Sequence, residues 1–143
     1  MIETDFADIP YVGVLVASLV NMVLGMVWFS MPLFGRPWMA LTHPGKTQED
    51  LAKGPKTGYV VALLASLVTA LFLAYLLLLL QAETVLDAFR VAVTLWVGFI
   101  ATAYAQTYIF GGKPLKLYLI DSTYYLVLLL GQALILVLWP FAF

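Results

Sequence analysis

The sequence predicts an all-α integral membrane protein, a four-transmembrane-helix bundle forming one domain over residues 1–143. Three observations predict it. Of the 143 residues, 64% are hydrophobic and 10% are charged, whereas a soluble domain carries about 25% charged residues. The mean hydropathy is +1.00, and so few charges cannot keep a surface in water. The apolar residues are gathered into four stretches, 11–31, 58–80, 85–110 and 115–139. Each reaches the roughly 20 residues that a helix needs to cross a hydrocarbon core about 30 Å thick. Backbone polar groups in lipid must be satisfied within the segment, so each stretch is a helix. Barrel strands would alternate, and these stretches do not.

The amino-terminal tail carries Glu3, Asp5 and Asp8, opposite in sign to a cleavable secretory leader. Pro10 suits the first turn of a helix, where its missing N–H costs nothing. The first span has Asn21 as its one strongly polar residue. The loop 32–57 opens with Leu33, Phe34, Trp38, Met39 and Leu41 around Arg36. This composition predicts an interfacial segment over 33–41. After a turn at Thr42-His43-Pro44-Gly45, Thr47 caps a short helix with Asp50 three residues on and Glu49 paired with Lys53. Gly54-Pro55 ends that helix. The second span finishes in five leucines, Leu76 to Leu80. The tight connection Gln81–Thr84 then predicts an antiparallel hairpin of spans two and three. Arg90 enters the third span beside Asp87, within snorkelling reach of the interface, with Gln132 of the fourth span a candidate partner.

Loop charge sets the orientation. Arg36, Lys46, Lys53 and Lys56 lie in loop 32–57, and Lys113 and Lys116 lie in or beside loop 111–115. The tails and the second connection hold no Lys or Arg. Positive loops stay in the cytoplasm, so both of these loops are expected inside and both termini outside.

Helices in lipid associate through close packing at small residues. Gly13, Ala17, Asn21 and Gly25 recur every fourth residue in the first span, and Ala62, Ser66, Ala70 and Ala74 do so in the second. Each set makes one groove, and the two are expected to pack together, within one chain or across a homodimer. A shorter series, Gly98, Thr102 and Gln106, marks the third span. Gly35-Arg36-Pro37 and Gly112-Lys113-Pro114 end the first and third spans alike. The chain therefore reads either as two parallel helix–loop–helix repeats or as boundary chemistry met twice.

Asp121 lies about six residues inside the fourth span, roughly 9 Å deep at 1.5 Å per residue, too deep for its short side chain to snorkel. An intramembrane carboxylate is a functional candidate, with a structural tether to hydroxyls, Lys113 or Lys116 as the alternative. Thr102, Gln106, Tyr124 and Tyr125 are the neighbours expected to share an inward-opening polar site with it. Asn21 is expected to bond between helices. His43 is expected to be solvated, and Trp28, Phe29, Trp38, Tyr59, Tyr108, Tyr118 and Trp139 to form interfacial belts.

Several functions are excluded. A net charge of −1 gives no basic footprint for nucleic acid. With no cysteine and one histidine, thiolate, iron–sulfur and multi-histidine metal sites are out of reach. No nucleophile–base pair, phosphate loop or cofactor motif stands in the chain, so no enzyme is expected.

Gly25-Met-Val-Trp28-Phe29-Ser30-Met-Pro32-Leu-Phe34-Gly35-Arg36-Pro-Trp38 resembles the signature of a bacterial membrane family known as domain of unknown function 1761. Phe29 stands where Tyr is commoner in that family. The resemblance implies a small protein of about four spans in a bacterial inner membrane, focused on the Gly25–Trp38 region, with no established activity or cofactor. Two functional readings lead, and an enzyme on lipid or quinone substrates, with only Asp121 and the tyrosines as candidates, ranks last. One is a non-enzymatic binding or accessory bundle that packs with itself, with a larger membrane complex or with a lipid-like ligand. The other is a small proton-coupled transporter or channel using Asp121. Membrane lipids are expected partners in either case. Reporter fusions at the two ends are expected to read out from the outside; a cytoplasmic carboxyl terminus would overturn the orientation.

Overall fold

Residues 4–139 are described by a computed structural model. The elements in order are α1 (Tyr11–Trp28), α2 (Arg36–Thr42), α3 (Gln48–Ala52), α4 (Thr57–Leu79), α5 (Val85–Leu95), α6 (Thr102–Phe110) and α7 (Leu115–Val137). A wide-turn segment, Trp96–Ala101, joins α5 to α6 without a break, so Val85–Phe110 is one span. Among the described residues, four helices are therefore long and apolar enough to cross a membrane. No strand occurs among the described residues.

The helix ends follow from local chemistry. A single turn, Phe6–Asp8, precedes α1 and is capped by Asp5. It is tied down by Tyr11, which donates to Phe6 O at 2.8 Å, and by stacking of Phe6 on Tyr75 at 4.7 Å. The first span is shorter than the apolar run. Leu33 leaves helical geometry (φ −99, ψ −110) in a wide turn over Met31–Gly35 that contains Pro32, whose ring has no N–H to carry the ladder on. The α3 cap has the expected form. The Thr47 side chain accepts from Asp50 N, Asp50 accepts from Thr47 N at 2.8 Å, and Lys53 pairs with Glu49 at 3.0 Å. The Thr47 backbone and hydroxyl bonds hold the Asp50 carboxyl below the ordinary carboxylate range. Gln48 Nε2 reaches back to Phe29 O at 2.9 Å and fixes this loop helix to the end of α1.

Helix α7 is the axis of the bundle. Half of its most apolar stretch is buried inside the protein, against 28% for α1 and for α4 and 17% for the third span. Helices α1, α4 and α7 pack as a mutually contacting trio, and the third span leans on α7. The expected hairpin of spans two and three is thus corrected. The Gln81–Thr84 turn is tight, with Gln81 at φ 52, but α4 and α5 are not a closely packed pair, because α7 offers a better surface to both. The two halves each pair their own spans, α1 with α4 and the third span with α7. A two-fold relation between them would match the α1–α7 interface with a close α4–α5 interface, which is missing.

Small residues make the trio possible. Ala17 and Ala70 are fully buried, and Ser66 and Ala74 nearly so. Asn21 Nδ2 donates to Ala62 O (3.0 Å) and Ser66 Oγ to Ser18 O (2.8 Å), joining α1 to α4. The α1 groove does not serve α4 alone. A methyl at Gly13 would meet the Trp139 ring at 3.1 Å, and one at Gly25 would meet the Tyr124 hydroxyl at 3.4 Å. Both glycines admit the fourth span or the residues that follow it. Gly131 of α7 returns the favour, with Val20 packed 3.1 Å from where its Cβ would stand.

Gln132 is fully buried at the meeting of all three helices. Its Nε2 donates to Ser66 Oγ (3.0 Å), Ser66 O (3.3 Å) and Ala17 O (3.3 Å). The expected bond to Arg90 is therefore not made. Arg90 is exposed and pairs with Asp87 at 3.6 Å. The helix rotation that buries Gln132 against Ser66 is set by the small residues facing it, a relation that depth along the span does not reveal. Interhelical bonds of this kind contribute on the order of 0.6 kcal/mol each in lipid, with a maximum near ~1.7 kcal/mol.

Replacing Ala70 by Leu is expected to destabilise the monomer fold by about 1–3 kcal/mol through overpacking, read as a lower unfolding midpoint in detergent. A variant that keeps its midpoint and loses only a dimer would show that the groove works between chains.

Candidate functional site: an aromatic cluster around Asp121

The chain crowds its rings at one end of the bundle, the end that carries Arg36, Lys113 and Lys116. Three segments build the cluster. The motif stretch brings Trp28, Phe29, Phe34 and Trp38, the third span brings Tyr104 and Tyr108, and α7 brings Tyr118, Asp121, Tyr124 and Tyr125.

Local backbone explains how the motif delivers its side chains. Gly35 N bonds Ser30 O at 2.9 Å, closing the wide turn that reverses the chain after α1. A methyl on Gly35 would overlap Phe29 O and lie 2.7 Å from Ser30 O, so only glycine fits there. The turn folds Phe34 back onto Trp28, with ring centroids 4.6 Å apart, and lets α2 present Trp38 against Phe29 at 5.0 Å. Ser30 Oγ closes on Val27 O at 2.6 Å, satisfying a carbonyl at the helix end. Arg36 points to the exposed side and carries no ion pair among the described residues.

These rings grip α7 through its polar atoms. Trp28 Nε1 donates to Ile120 O (3.2 Å), Trp96 Nε1 to Ser122 O (2.6 Å) and Trp38 Nε1 to Asp121 Oδ1 (3.1 Å). A helical carbonyl keeps a second lone pair, so two of these indoles add bonds without breaking the α7 ladder. Tyr108 OH donates to the other Asp121 oxygen at 2.5 Å. Tyr124 OH donates to Asn21, at both its side-chain oxygen and its main-chain oxygen (3.0 Å to the latter). Tyr118 OH donates to Ala101 O at 3.1 Å, at the last residue of the wide-turn segment. Such a segment loosens the i+4 ladder and leaves carbonyls open to side chains.

The rings also touch one another. Tyr104 stacks near Tyr108 (5.4 Å) and meets Tyr125 (5.5 Å), and Tyr125 is edge-on to Tyr124 (5.4 Å). Lys113 Nζ stands 4.8 Å over the Tyr108 ring, a cation–π geometry. His43 is half-buried, with its ring 5.4 Å from Trp38 and Nδ1 at 2.8 Å from Thr42 Oγ1. It is a packed residue and not a solvated one.

The site differs from the one expected around Asp121. Tyr124 and Tyr125 are in the cluster. Thr102 and Gln106 are exposed on the far face of their helix, and Thr102 Oγ1 bonds back to Gly98 O of its own span at 2.9 Å. Depth along the span puts Gln106 level with Asp121 and Thr102 near it, but does not fix the rotation of their helix. Lys113 and Lys116 make no ion pair with Asp121. Trp28, Trp38, Tyr108 and Tyr118 are intramolecular clamps on α7 or on the third span and not simple belt residues, because each finds a protein acceptor. Trp96 is a further clamp, and its position inside a span, away from both interfaces, is the one signal of this in the sequence. Pro32 is exposed and acts only through the turn.

Gly35→Ala is expected to cost more than a typical surface change, about 2 kcal/mol or above, and to free Trp38. The measurement is a thermal midpoint together with a red shift of tryptophan emission. An unchanged spectrum would show that the turn absorbs the methyl.

No curated protein and no solved structure matches this chain. The family of proteins of unknown function DUF1761 matches it over residues 12–137, from the start of α1 to the end of α7, and the chain belongs to that family.

Proposed function

We propose that this chain is a non-enzymatic binding bundle of the bacterial inner membrane that holds a lipid-like ligand at the aromatic cluster around Asp121. In this reading the basic end, with loops 32–57 and 111–115, lies on the cytoplasmic side, and both termini lie outside. One observation carries the reading. A part-exposed carboxylate within an apolar span is held by Trp38 from the loop and Tyr108 from the third span, and rings surround it. Apolar and aromatic walls with a few fixed polar groups are the composition of a small-molecule site. The cluster offers donors, rings and one carboxylate.

A proton-coupled transporter is the second reading, favoured by the position of the carboxylate inside a span. Native mass spectrometry of the protein released from lipid nanodiscs separates the two. Binding predicts a retained amphiphile whose occupancy falls by half or more (a rough expectation from about 1 kcal/mol of lost contact) in Trp38→Leu. An empty protein that supports Asp121-dependent proton flux in liposomes would overturn the binding reading in favour of the second.

A further inference from the structure

Asp121 has no cationic partner within ion-pair distance among the described residues. This is unusual for its surroundings, since charged groups inside a span pair with one another or mark a ligand. Its two bonds are to uncharged donors, Trp38 Nε1 and Tyr108 OH. A carboxylate accepts about four hydrogen bonds, so roughly half of its acceptor capacity is open, and the residue is part-exposed. Of the rings beside it, Tyr108 bonds the carboxylate, Tyr104 packs against Tyr108, and Tyr125 packs against Tyr104; aromatic faces are electron-rich. One of those faces already holds a cation, the Lys113 ammonium.

We propose that Asp121 with Trp38, Tyr104, Tyr108 and Tyr125 binds the head of an amphiphilic organic cation, an alkylammonium with an apolar tail, and that Lys113 is the chain's own competitor for that place. The proposal rests on the binding reading above and names its ligand class. The carboxylate supplies charge and the rings supply cation–π attraction, which strengthens when the cation is desolvated. The spans supply an apolar bed for the tail. An anionic head would meet Asp121 with like charge in a medium of low dielectric, where repulsion is large. The remaining lysines of the basic end are exposed, and water and salt screen them within about 8 Å. Lys113 lies on an exposed turn, with Gly112 at φ +64 beside it, so its side chain can leave the ring at little cost.

The test is a titration of tryptophan fluorescence of the full chain in uncharged detergent. The probes are dodecyltrimethylammonium, its uncharged analogue with carbon in place of nitrogen, and dodecyl sulfate. The wild type is expected to bind the ammonium about thirtyfold more tightly than the analogue, the scale of one desolvated cation–π contact. Asp121→Asn should abolish that preference. Lys113→Gln, a change on the exposed surface, should tighten the ammonium several-fold and leave the analogue unchanged, which a merely structural role for Asp121 would not produce. Equal binding of ammonium and analogue by the wild type, or no effect of Lys113→Gln, overturns the cation proposal while the binding reading stands. Binding of none of the three probes overturns both.

Discussion

The structure depends on one constraint: α7 is a polar-bearing helix at the centre of an apolar bundle, and protein meets most of its polar side chains, with Ser122 Oγ and Gln132 Oε1 buried without a hydrogen-bond partner. Between Ile120 and Gln132 it is approached by Trp28, Trp38, Trp96, Tyr108, Asn21 and Ser66, drawn from every other span and from the loop helix α2. In a lipid-like medium there is no water to take over these bonds, and apolar contact with a neighbour is hardly better than contact with lipid. Directional bonds and close small-residue packing therefore decide which helices meet. That is why α7 stands in the middle while the third span, poorer in partners, lies at the edge.

The same constraint explains the stretch from Gly25 to Trp38. The chain must leave α1, turn sharply and still place an indole against the α7 carboxylate. Pro32 removes a donor, Leu33 breaks helical geometry, and Gly35 lets the backbone of the turn touch that of Ser30. Phe34 and Trp38 then close over Trp28 and Phe29. The density of rings in these fourteen residues is thus a packing device, and the site on which a ligand reading rests is the place where that device meets Asp121. Two tasks share the residues: holding α2 to α7, and leaving a carboxylate with spare acceptor capacity among aromatic faces.

Much of this was legible in the chain and part of it was not. The four spans, the α3 cap, the Glu49–Lys53 pair and the small-residue grooves follow from length, spacing and local chemistry, and all depend on residues close in sequence. Asn21 as an interhelical donor follows from its isolation in an apolar run. The partners of Gln132, the outward facing of Thr102 and Gln106, and the role of Trp96 do not follow. Each depends on how a helix is rotated about its axis, and a span that is apolar all round carries little signal of rotation. Aromatic residues near a span's end are equally ambiguous, since an indole that could rest in the headgroups can also bond a carbonyl across the bundle.

The sequence by itself determined that this chain is helical, that four segments suit an apolar medium, and where the small and polar residues recur along them. These are one-dimensional properties, fixed by hydrophobicity, backbone bonding and period. Only the tertiary structure decided that the fourth span is the axis, that spans two and three part company after their tight turn, and that Asp121 lies between Trp38 and Tyr108 with no ion-pair partner among the described residues. The physical reason is that helix neighbours and rotations are chosen by the few pairs of atoms that can bond or pack across the bundle, and those pairs lie far apart in the chain.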